Sequence, residues 1–182
     1  MAYDLKKTIV LVGMMGAGKT AVGTALARLL GVPFLDSDAE IERAADRKVA
    51  EIFERDGEPF FRSKETQVIT RLLQGPSMVL STGGGAYLSA QNREIIARYG
   101  VAVWLRADLD LLWARVRHKS TRPLLRTANP RETLRALGEA RNPFYGRAQI
   151  IVDAEPGLSI EAMAHKVAEA LKAYPDLIEE RA

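Results

Sequence analysis

Residues 8–20 of the chain read TIVLVGMMGAGKT, an aliphatic run followed by a loop that contains three glycines. The run at 8–12 is β-branched and aliphatic, which is typical of a strand buried on both faces of a parallel sheet. After Lys19 the apolar side chains recur at the spacing of an amphipathic helix, which Gly31 and Pro33 end. The order strand, glycine loop, helix therefore predicts the start of an α/β fold.

The same alternation continues along the chain and predicts a single α/β domain. The interval 49–73 is expected to hold two helices, because residues 56–59 join a helix stop to a helix start. Strands that alternate with helices favour an open, three-layer parallel sheet with right-handed crossovers. We expect one domain over 1–182, with a core at about 8–172 and a solvated tail at about 174–182. The later strands are predicted at 34–35, 78–80, 101–105 and 150–152.

The composition is that of a folded protein and argues against several classes of function. Apolar residues make up 47% of the chain and charged residues 27%, unlike a disordered or fibrous chain. There is no cysteine, so neither disulfides nor thiolate metal sites can form, and the cytoplasm is the expected location. The first apolar stretch is too short for a signal peptide or a membrane span. A net charge of +3 fits either nucleic acid or small anions as ligands, so the position of the charges must distinguish them.

The loop at 13–20 fits the phosphate-binding pattern GxxxxGK[ST], and it lies between a strand and a helix as that pattern requires. Glycines allow its backbone N–H groups to point at phosphate oxygens beside a helix N-terminus. Lys19 is then expected to reach the β- and γ-phosphates of a bound nucleotide, and the Thr20 hydroxyl to bind Mg²⁺. The alternative is a glycine-rich turn that only joins a strand to a helix. The predicted nucleotide-binding residues are Gly13, Met14, Met15, Gly16, Ala17, Gly18, Lys19 and Thr20.

Two carboxylates follow the second predicted strand. Asp36 and Asp38 lie at the carboxyl end of that strand, and in an open parallel sheet these ends border the ligand crevice. One carboxylate can hold a water of the Mg²⁺ shell, and the other can accept a hydrogen bond from a substrate hydroxyl. The alternative is a helix N-cap, since Asp38 precedes the helix that contains Ile41.

A second strand end carries consecutive glycines. Gly83, Gly84 and Gly85 follow the predicted strand at 78–80, and ordering them is costly in conformational entropy. They suggest a place where the backbone approaches a ligand closely. The alternative is a flexible loop.

Two arginines favour an anionic substrate. Arg62 lies in a predicted helix with Glu65 three residues further on, which can fix the arginine rotamer, and Arg141 precedes Tyr145. A guanidinium group pairs with a carboxylate through two parallel hydrogen bonds, so two converging arginines favour a carboxylate-bearing substrate. Taken separately, each arginine is more typical of a solvated helix surface.

The segment 111–131 contains no acidic residue but several basic ones, among them Arg115 and Arg122. Self-repulsion would hold such a segment open until a polyphosphate arrives, which is the behaviour of a closing lid. Arg122 could then contact the transferring phosphoryl group as an arginine finger. The competing interpretation is a flap that binds nucleic acid, but the segment lacks interleaved stacking aromatics.

Together these segments resemble the shikimate kinase family, and the resemblance covers most of 8–172. It implies ATP-dependent phosphorylation of the 3-hydroxyl of shikimate, with ATP and Mg²⁺ as cofactors. It also implies the nucleoside-monophosphate-kinase fold, a five-stranded parallel sheet in the order 2-3-1-4-5 with helices on both faces. A shikimate-binding region would lie at about 37–65 and a mobile lid at about 116–130. The residues that carry the resemblance are the P-loop, Asp36-Ser37-Asp38, Phe61-Arg62 with Glu65, the three glycines, Arg122-Pro123-Leu124-Leu125, and Arg141 with Tyr145.

The resemblance also implies roles for single residues. Lys19 and Arg122 would neutralise charge on the phosphoryl group in transfer. Asp38 would bind the ring hydroxyls, and whether it also removes the hydroxyl proton is left open. The implied magnesium ligands are Thr20 and Asp36, and the implied adenine contacts are Arg115 and Pro156. The implied shikimate-binding residues are Asp38, Arg62, Gly83, Gly84, Gly85 and Arg141, with Phe53 and Phe61 as apolar walls.

Two other kinds of function stay open on the sequence alone. A gluconate or nucleotide kinase of the same fold would explain the P-loop but gives no reason for the glycines with Arg62 and Arg141. A non-catalytic nucleotide switch or a nucleic-acid-bound ATPase would need a guanine-reading motif or a partner surface, and neither is visible in the sequence. We therefore expect a monomeric enzyme with a small-molecule substrate and with neither nucleic acid nor membrane as a partner.

Overall fold

The structure, a computed structural model, describes residues 2–118 and 126–181. Its strands are β1 (Ala2–Leu5), β2 (Thr8–Val12), β3 (Phe34–Asp36), β4 (Val79–Ser81), β5 (Gly100–Arg106), β6 (Ile150–Asp153) and β7 (Ile178–Arg181). The central sheet is parallel and has five strands in the order β3-β4-β2-β5-β6. When only these five are counted along the chain, the order is 2-3-1-4-5, so the topology implied by the family resemblance is confirmed.

Helices cover both faces of this sheet. The interval 49–73 forms two helices that meet at Gly57, as the sequence predicts. Ser159 caps the last helix, because its Oγ accepts a hydrogen bond from the Ala162 N–H at 3.1 Å. The helices are α1 (Lys19–Leu30), α2 (Ser37–Ala45), α3 (Val49–Asp56), α4 (Glu58–Leu73), α5 (Ala90–Tyr99), α6 (Leu109–Val116), α7 (Pro130–Tyr145) and α8 (Ile160–Lys172), with a 3₁₀ turn at Ala86–Leu88.

Two apolar cores hold the elements in place. The large core surrounds β2, where Ile9, Val10 and Leu11 are fully buried, which explains the uninterrupted aliphatic run of that strand. A smaller core joins α2, α3 and α4 through Ile41, Ile52, Phe61 and Val68. The small core anchors α4, the helix that carries Arg62, beside the carboxyl edge of the sheet.

The two ends of the described chain pair with each other. β1 and β7 form a two-stranded antiparallel ribbon, and Leu177 and Ile178 are buried beneath it. The N–H of Lys6 also donates to the carbonyl of Leu177 at 2.7 Å. The prediction of a solvated tail at 174–182 is therefore wrong for Leu177 and Ile178, whose side chains the core accepts. The side chains of 174–176 and 179–181 are exposed, although β1 pairs the backbone of 178–181.

The predicted lid at 116–130 lies largely between α6 and α7. Residues 119–125, and with them the predicted arginine finger Arg122, lie outside the described residues. The flanking helices are joined by an ion pair of 2.6 Å between Arg131 and Asp110. Within 2–118 and 126–181, no helix combines the length and the apolar character that crossing a membrane requires.

Candidate active site at the carboxyl edge of the sheet

The predicted phosphate loop follows β2 and ends at the N-terminus of α1. Gly18 caps this helix with φ +96°, a left-handed conformation that favours glycine. At Gly16 φ is +85°, and a Cβ atom there would lie 2.7 Å from Cγ1 of Val116. Lys19 Nζ donates to the carbonyls of Gly13 and Met14, the latter at 3.1 Å, so its ammonium group lies over the loop. The loop therefore has the strand, helix and lysine arrangement of a phosphate cradle.

A cavity of about 530 Å³ opens over this loop. All predicted P-loop residues border it except Gly13 and Ala17, which pack inward. Arg115 also borders it, and its Nη1 donates to the carbonyl of Gly16 at 3.0 Å. The cavity is also bordered by Asp36, Asp38, Gly83 and Gly84, so some of the residues predicted for nucleotide, metal and substrate share it, whereas Arg62, Gly85 and Arg141 do not border it. Its volume is in the range of small-molecule sites.

Asp36 caps helix α2. Its Oδ1 accepts hydrogen bonds from the N–H groups of Asp38 at 2.9 Å and Ala39 at 3.1 Å. The helix thus begins two residues earlier than the N-cap interpretation of Asp38 supposed, and Asp38 lies in its first turn. The cap leaves the Asp38 carboxylate to face the cavity.

Two features of the Asp38 side chain are typical of a carboxylate that takes part in binding or catalysis. Its Oδ1 is buried and has no hydrogen-bond partner within the described part of the chain. Burial raises the pKa of Asp38 to about 6, with a further increase from the Asp36 carboxylate that Lys19 and Arg62 oppose. A buried, unpaired acceptor with a raised pKa, next to a phosphate cradle, is suited to receive a hydroxyl group.

The three glycines bring the predicted substrate-binding side chains together. We call residues 83–85 the glycine turn. A Cβ atom on Gly83 would lie 2.9 Å from both carboxylate oxygens of Asp38, and one on Gly84 would lie 2.7 Å from Nη1 of Arg141. A Cβ atom on Gly85 would overlap the guanidinium group of Arg62. None of the three has a positive φ, so these glycines are required by space rather than by backbone conformation.

Arg62 is held by a buried acid, as the spacing of the two residues predicts. Its Nη1 donates to Oε1 of Glu65 at 2.9 Å, and Glu65 is fully buried. Burial raises the pKa of Glu65, and the charge and hydrogen bond of Arg62 oppose that rise. Arg62 also lies over the ring of Phe61, 5.3 Å from its centroid. Its Nε donates to Oε1 of Glu58 at 3.4 Å, so Arg62 presents Nη2 to the glycine turn in a defined orientation.

Tyr145 ties the other arginine to the same turn. Its ring is fully buried, and its hydroxyl donates to the carbonyl of Gly84. Burial raises the pKa of Tyr145, and the neighbouring Arg141 opposes that rise. Tyr145 is part of the sequence motif, but no role was predicted for it. Its position four residues after Arg141 on one helix indicates that the two side chains lie on the same helix face.

Three predicted contacts lie elsewhere. Pro156 is exposed and does not border the cavity; Leu158 and Ile160, at the start of α8, border it instead, although they are 36% and 48% exposed. The capping residue Ser159 indicated where α8 begins but not that this end borders the cavity. Phe53 and Phe61 stack with their ring centroids 4.7 Å apart in the small core, and neither borders the cavity. The roles implied for these three residues stay predictions.

Thr20 and Asp36 are compatible with magnesium. Both border the cavity and both offer hard oxygen donors. In the described ranges there is no cluster of three or more acidic, histidine or cysteine side chains that could form a protein cage for a metal. A magnesium ion here would take its remaining ligands from phosphate and water, as is usual for phosphoryl-transfer sites.

Comparisons with known proteins agree with this arrangement. The family model described as shikimate kinase matches residues 15–172. A shikimate kinase of Cereibacter sphaeroides is 67% identical over 175 residues, which are 96% of this chain and 87% of the relative. One of Ruegeria pomeroyi is 63% identical over 178 residues, 98% of this chain and 91% of the relative.

A solved structure extends the match to three dimensions. The shikimate kinase from Acinetobacter baumannii in complex with shikimate has a TM-score of 0.86 and 41% identity, and the match covers 92% of this chain and 93% of that one. The range matched by the family model, 15–172, contains the glycine turn and both arginine-bearing helices. On these grounds the chain belongs to the shikimate kinase family.

Proposed function

We propose that the protein transfers the γ-phosphoryl group of ATP to the 3-hydroxyl of shikimate, giving shikimate 3-phosphate and ADP. The observation that carries this proposal is the glycine turn, whose three residues contact Asp38, Arg141 and Arg62 in succession beside the phosphate loop. Gly83, Gly84 and Asp38 border the cavity over the phosphate loop, and Arg62 and Arg141 approach the same turn next to them. This combination matches a substrate that carries both a carboxylate and a hydroxyl.

Arg62 and Arg141 are proposed to bind the substrate carboxylate. They lie on α4 and α7, on either side of the glycine turn, and each closely approaches one of its glycines. Two planar guanidinium forks can satisfy both oxygens of a carboxylate and resist rotation of the ring. The carboxylate would then orient the ring so that one hydroxyl points towards Asp38.

Asp38 is proposed to orient that hydroxyl and to take its proton. The unpaired Oδ1 supplies the acceptor, and a pKa of about 6 leaves the group ionised at neutral pH but more basic than an ordinary aspartate. As the hydroxyl oxygen forms its bond to the γ-phosphorus, the bond from phosphorus to the β–γ bridging oxygen breaks and ADP leaves. The hydroxyl proton passes to the Asp38 carboxylate, so charge and atoms balance.

The basic groups over the loop are proposed to stabilise the negative charge of the phosphates. Lys19 and Arg115 border the cavity on the loop side. Thr20 and Asp36 are the residues proposed to hold Mg²⁺, which when bound would neutralise phosphate charge. Shikimate kinases use ATP as phosphate donor, in agreement with this half of the site.

ADP release measured in a coupled assay tests the proposal. Shikimate should support turnover with ATP and Mg²⁺, while gluconate and nucleoside monophosphates should give no more than the background rate. Absence of turnover with shikimate would contradict the proposal. If nucleic acid stimulated ATP hydrolysis while shikimate had no effect, an ATPase of a different class would be indicated.

Arg62→Lys tests the carboxylate fork. Because a point charge replaces a bidentate donor, the KM for shikimate should rise by about tenfold or more, while the KM for ATP stays within about twofold. The matched control is Arg71→Lys, on the same helix but exposed to solvent, which should leave both constants unchanged. Equal increases in both KM values for Arg62→Lys would contradict the placement of Arg62 at the substrate.

A further inference from the structure

The segment that follows the glycine turn is held from two sides by adjacent residues of helix α5. Asn92 contacts it from the side of α4, and Arg93 contacts it from the side of α7. These are the helices that carry Arg62 and Arg141. The two arginines therefore have an indirect structural connection that passes through α5.

The Asn92 contact joins the glycine turn to the Arg62 helix. Asn92 is 1% exposed, its Nδ2 donates to the carbonyl of Ala86 at 2.9 Å, and its Oδ1 accepts from the Thr66 hydroxyl at 2.8 Å. Ala86 directly follows Gly85, and Thr66 lies one helical turn after Arg62. A single buried amide thus bridges the segment after the turn and α4.

The Arg93 contact joins the same segment to the Arg141 helix. Arg93 Nη1 donates to the carbonyl of Tyr87 at 2.8 Å, and its guanidinium carbon lies 5.4 Å from the centroid of the Phe144 ring. Phe144 is in the last turn of α7, beside Tyr145. Cation–π contacts of this kind resist displacement of the ring relative to the cation.

Part of the space between α4 and the glycine turn is unfilled. A cavity of about 250 Å³ is bordered by Arg62, Thr66, Gly85 and Asn92. If the turn moved away from α4, the ion pair with Glu65 would keep Arg62 on its own helix, and the distance between Arg62 and the turn would increase. The hydrogen bonds of Asn92 cross this region and oppose such a movement.

We propose that Asn92 and Arg93 are positioning residues for substrate recognition: together they clamp the Ala86–Leu88 segment to α4 and α7 and so set the separation of Arg62 and Arg141. This inference rests on the proposed function, because it assumes that both arginines bind one carboxylate. Bidentate recognition depends on geometry at the level of about 1 Å, so loss of a clamp should weaken shikimate binding more than nucleotide binding.

The hydrogen bond between Asn92 and Thr66 is tested by substitution of Thr66. Shikimate and a non-hydrolysable ATP analogue are each titrated calorimetrically into the protein. Thr66→Val keeps the β-branched shape but removes the hydroxyl, so the Kd for shikimate should rise about fivefold while that for the ATP analogue stays within about twofold. Thr66→Ser restores the hydroxyl and should restore shikimate affinity.

Thr70→Val is the matched control for Thr66→Val. Thr70 lies one turn further along α4, and its hydroxyl donates at 2.7 Å to the carbonyl of Thr66 in its own helix. Its loss should therefore change stability without changing the selectivity of binding. If Thr70→Val weakened shikimate binding as much as Thr66→Val, the effect would be one of helix stability and the inference would be overturned.

The contacts of Arg93 are tested with a second pair of variants. Arg93→Met should raise the Kd for shikimate several-fold, whereas Arg147→Met, which alters an exposed arginine 5.9 Å from the same Phe144 ring, should not. If wild-type protein bound shikimate and both Thr66→Val and Arg93→Met bound it equally well, the inference would fail while the proposed function stood. If wild-type protein did not bind shikimate, the proposed function itself would fail.

Discussion

Asp38→Asn is expected to lower turnover with shikimate by about 10²–10⁴-fold, because the amide keeps the shape of the carboxylate but cannot take the hydroxyl proton. The same change should make the folded protein more stable at pH 8. Burial raises the pKa of Asp38 to about 6 from an ordinary 3.8, so folding with this group ionised is unfavourable by an amount on the order of 1–3 kcal/mol. The neutral amide removes that cost, and Tm should rise by several degrees.

The pH dependence of this stability gain follows from the direction of the pKa shift. Between pH 4 and pH 6 the folded protein holds a proton on Asp38 that the unfolded chain has lost, so wild-type stability falls relative to the variant as pH rises. The difference in Tm should be small near pH 4 and constant above about pH 6. Likewise, the kcat/KM of the wild-type protein should fall as pH decreases below about 6. The residual kcat/KM of the Asp38→Asn variant should not show this decrease.

Asp176→Asn, at an exposed position remote from the cavity, is the control for Asp38→Asn and should change neither turnover nor the pH profile. If Asp38→Asn kept more than a tenth of the wild-type turnover, the proposed role of the Asp38 carboxylate as proton acceptor would be contradicted. A variant that was less stable at pH 8 would contradict the burial argument.

Gly84→Ala is expected to weaken shikimate binding by about 10- to 100-fold with almost no loss of stability. The added Cβ atom would lie 2.7 Å from Nη1 of Arg141, so the guanidinium group has to move away from its position over the glycine turn. Because that group is the far end of a flexible side chain and Gly84 has no positive φ, the backbone can accept alanine without strain. The loss should appear in the Kd for shikimate and not in the Kd for an ATP analogue.

Gly138→Ala supplies the control for this prediction. Gly138 lies in α7, the helix of Arg141, and a Cβ atom there would approach only Asn142, at 3.9 Å. Alanine should stabilise the helix by about 0.5–1 kcal/mol and leave shikimate binding unchanged. Unchanged shikimate affinity in Gly84→Ala would show that Arg141 does not need the space that glycine leaves.

Local patterns predicted much of this structure. The aliphatic run at 8–12, the glycines of the loop and the helical spacing after Lys19 are all local, and each takes the predicted form. The pair of Arg62 and Glu65 is also local, since residues three apart share one helix face. The strand order was implied by the family resemblance, because periodicity places residues on strands but does not say which strands are neighbours.

The parts that the sequence did not predict depend on long-range contacts. β1 and β7 pair residues at opposite ends of the described chain. The sequence IEER at 178–181 has no strand pattern, and it forms a strand because Leu177 and Ile178 are buried in the core. The reason for the glycine turn was also hidden, because the three side chains that need the space come from α2, α4 and α7. The start of α2 was also not predicted: Asp36 is the N-cap, and Asp38 lies in the first turn of the helix.

The ribbon of β1 and β7 also determines how the protein can be handled. Leu5 is followed within three residues by the first residue of β2, so the ribbon adjoins the amino edge of the parallel sheet, and the phosphate loop leaves from the carboxyl edge. Ala2 and Arg181, the ends of the described chain, therefore lie side by side on the far side from the cavity. A purification tag, a fluorescent fusion or a sensor-chip linkage that joins the protein through this ribbon would leave the entrance for nucleotide and acceptor facing the solution.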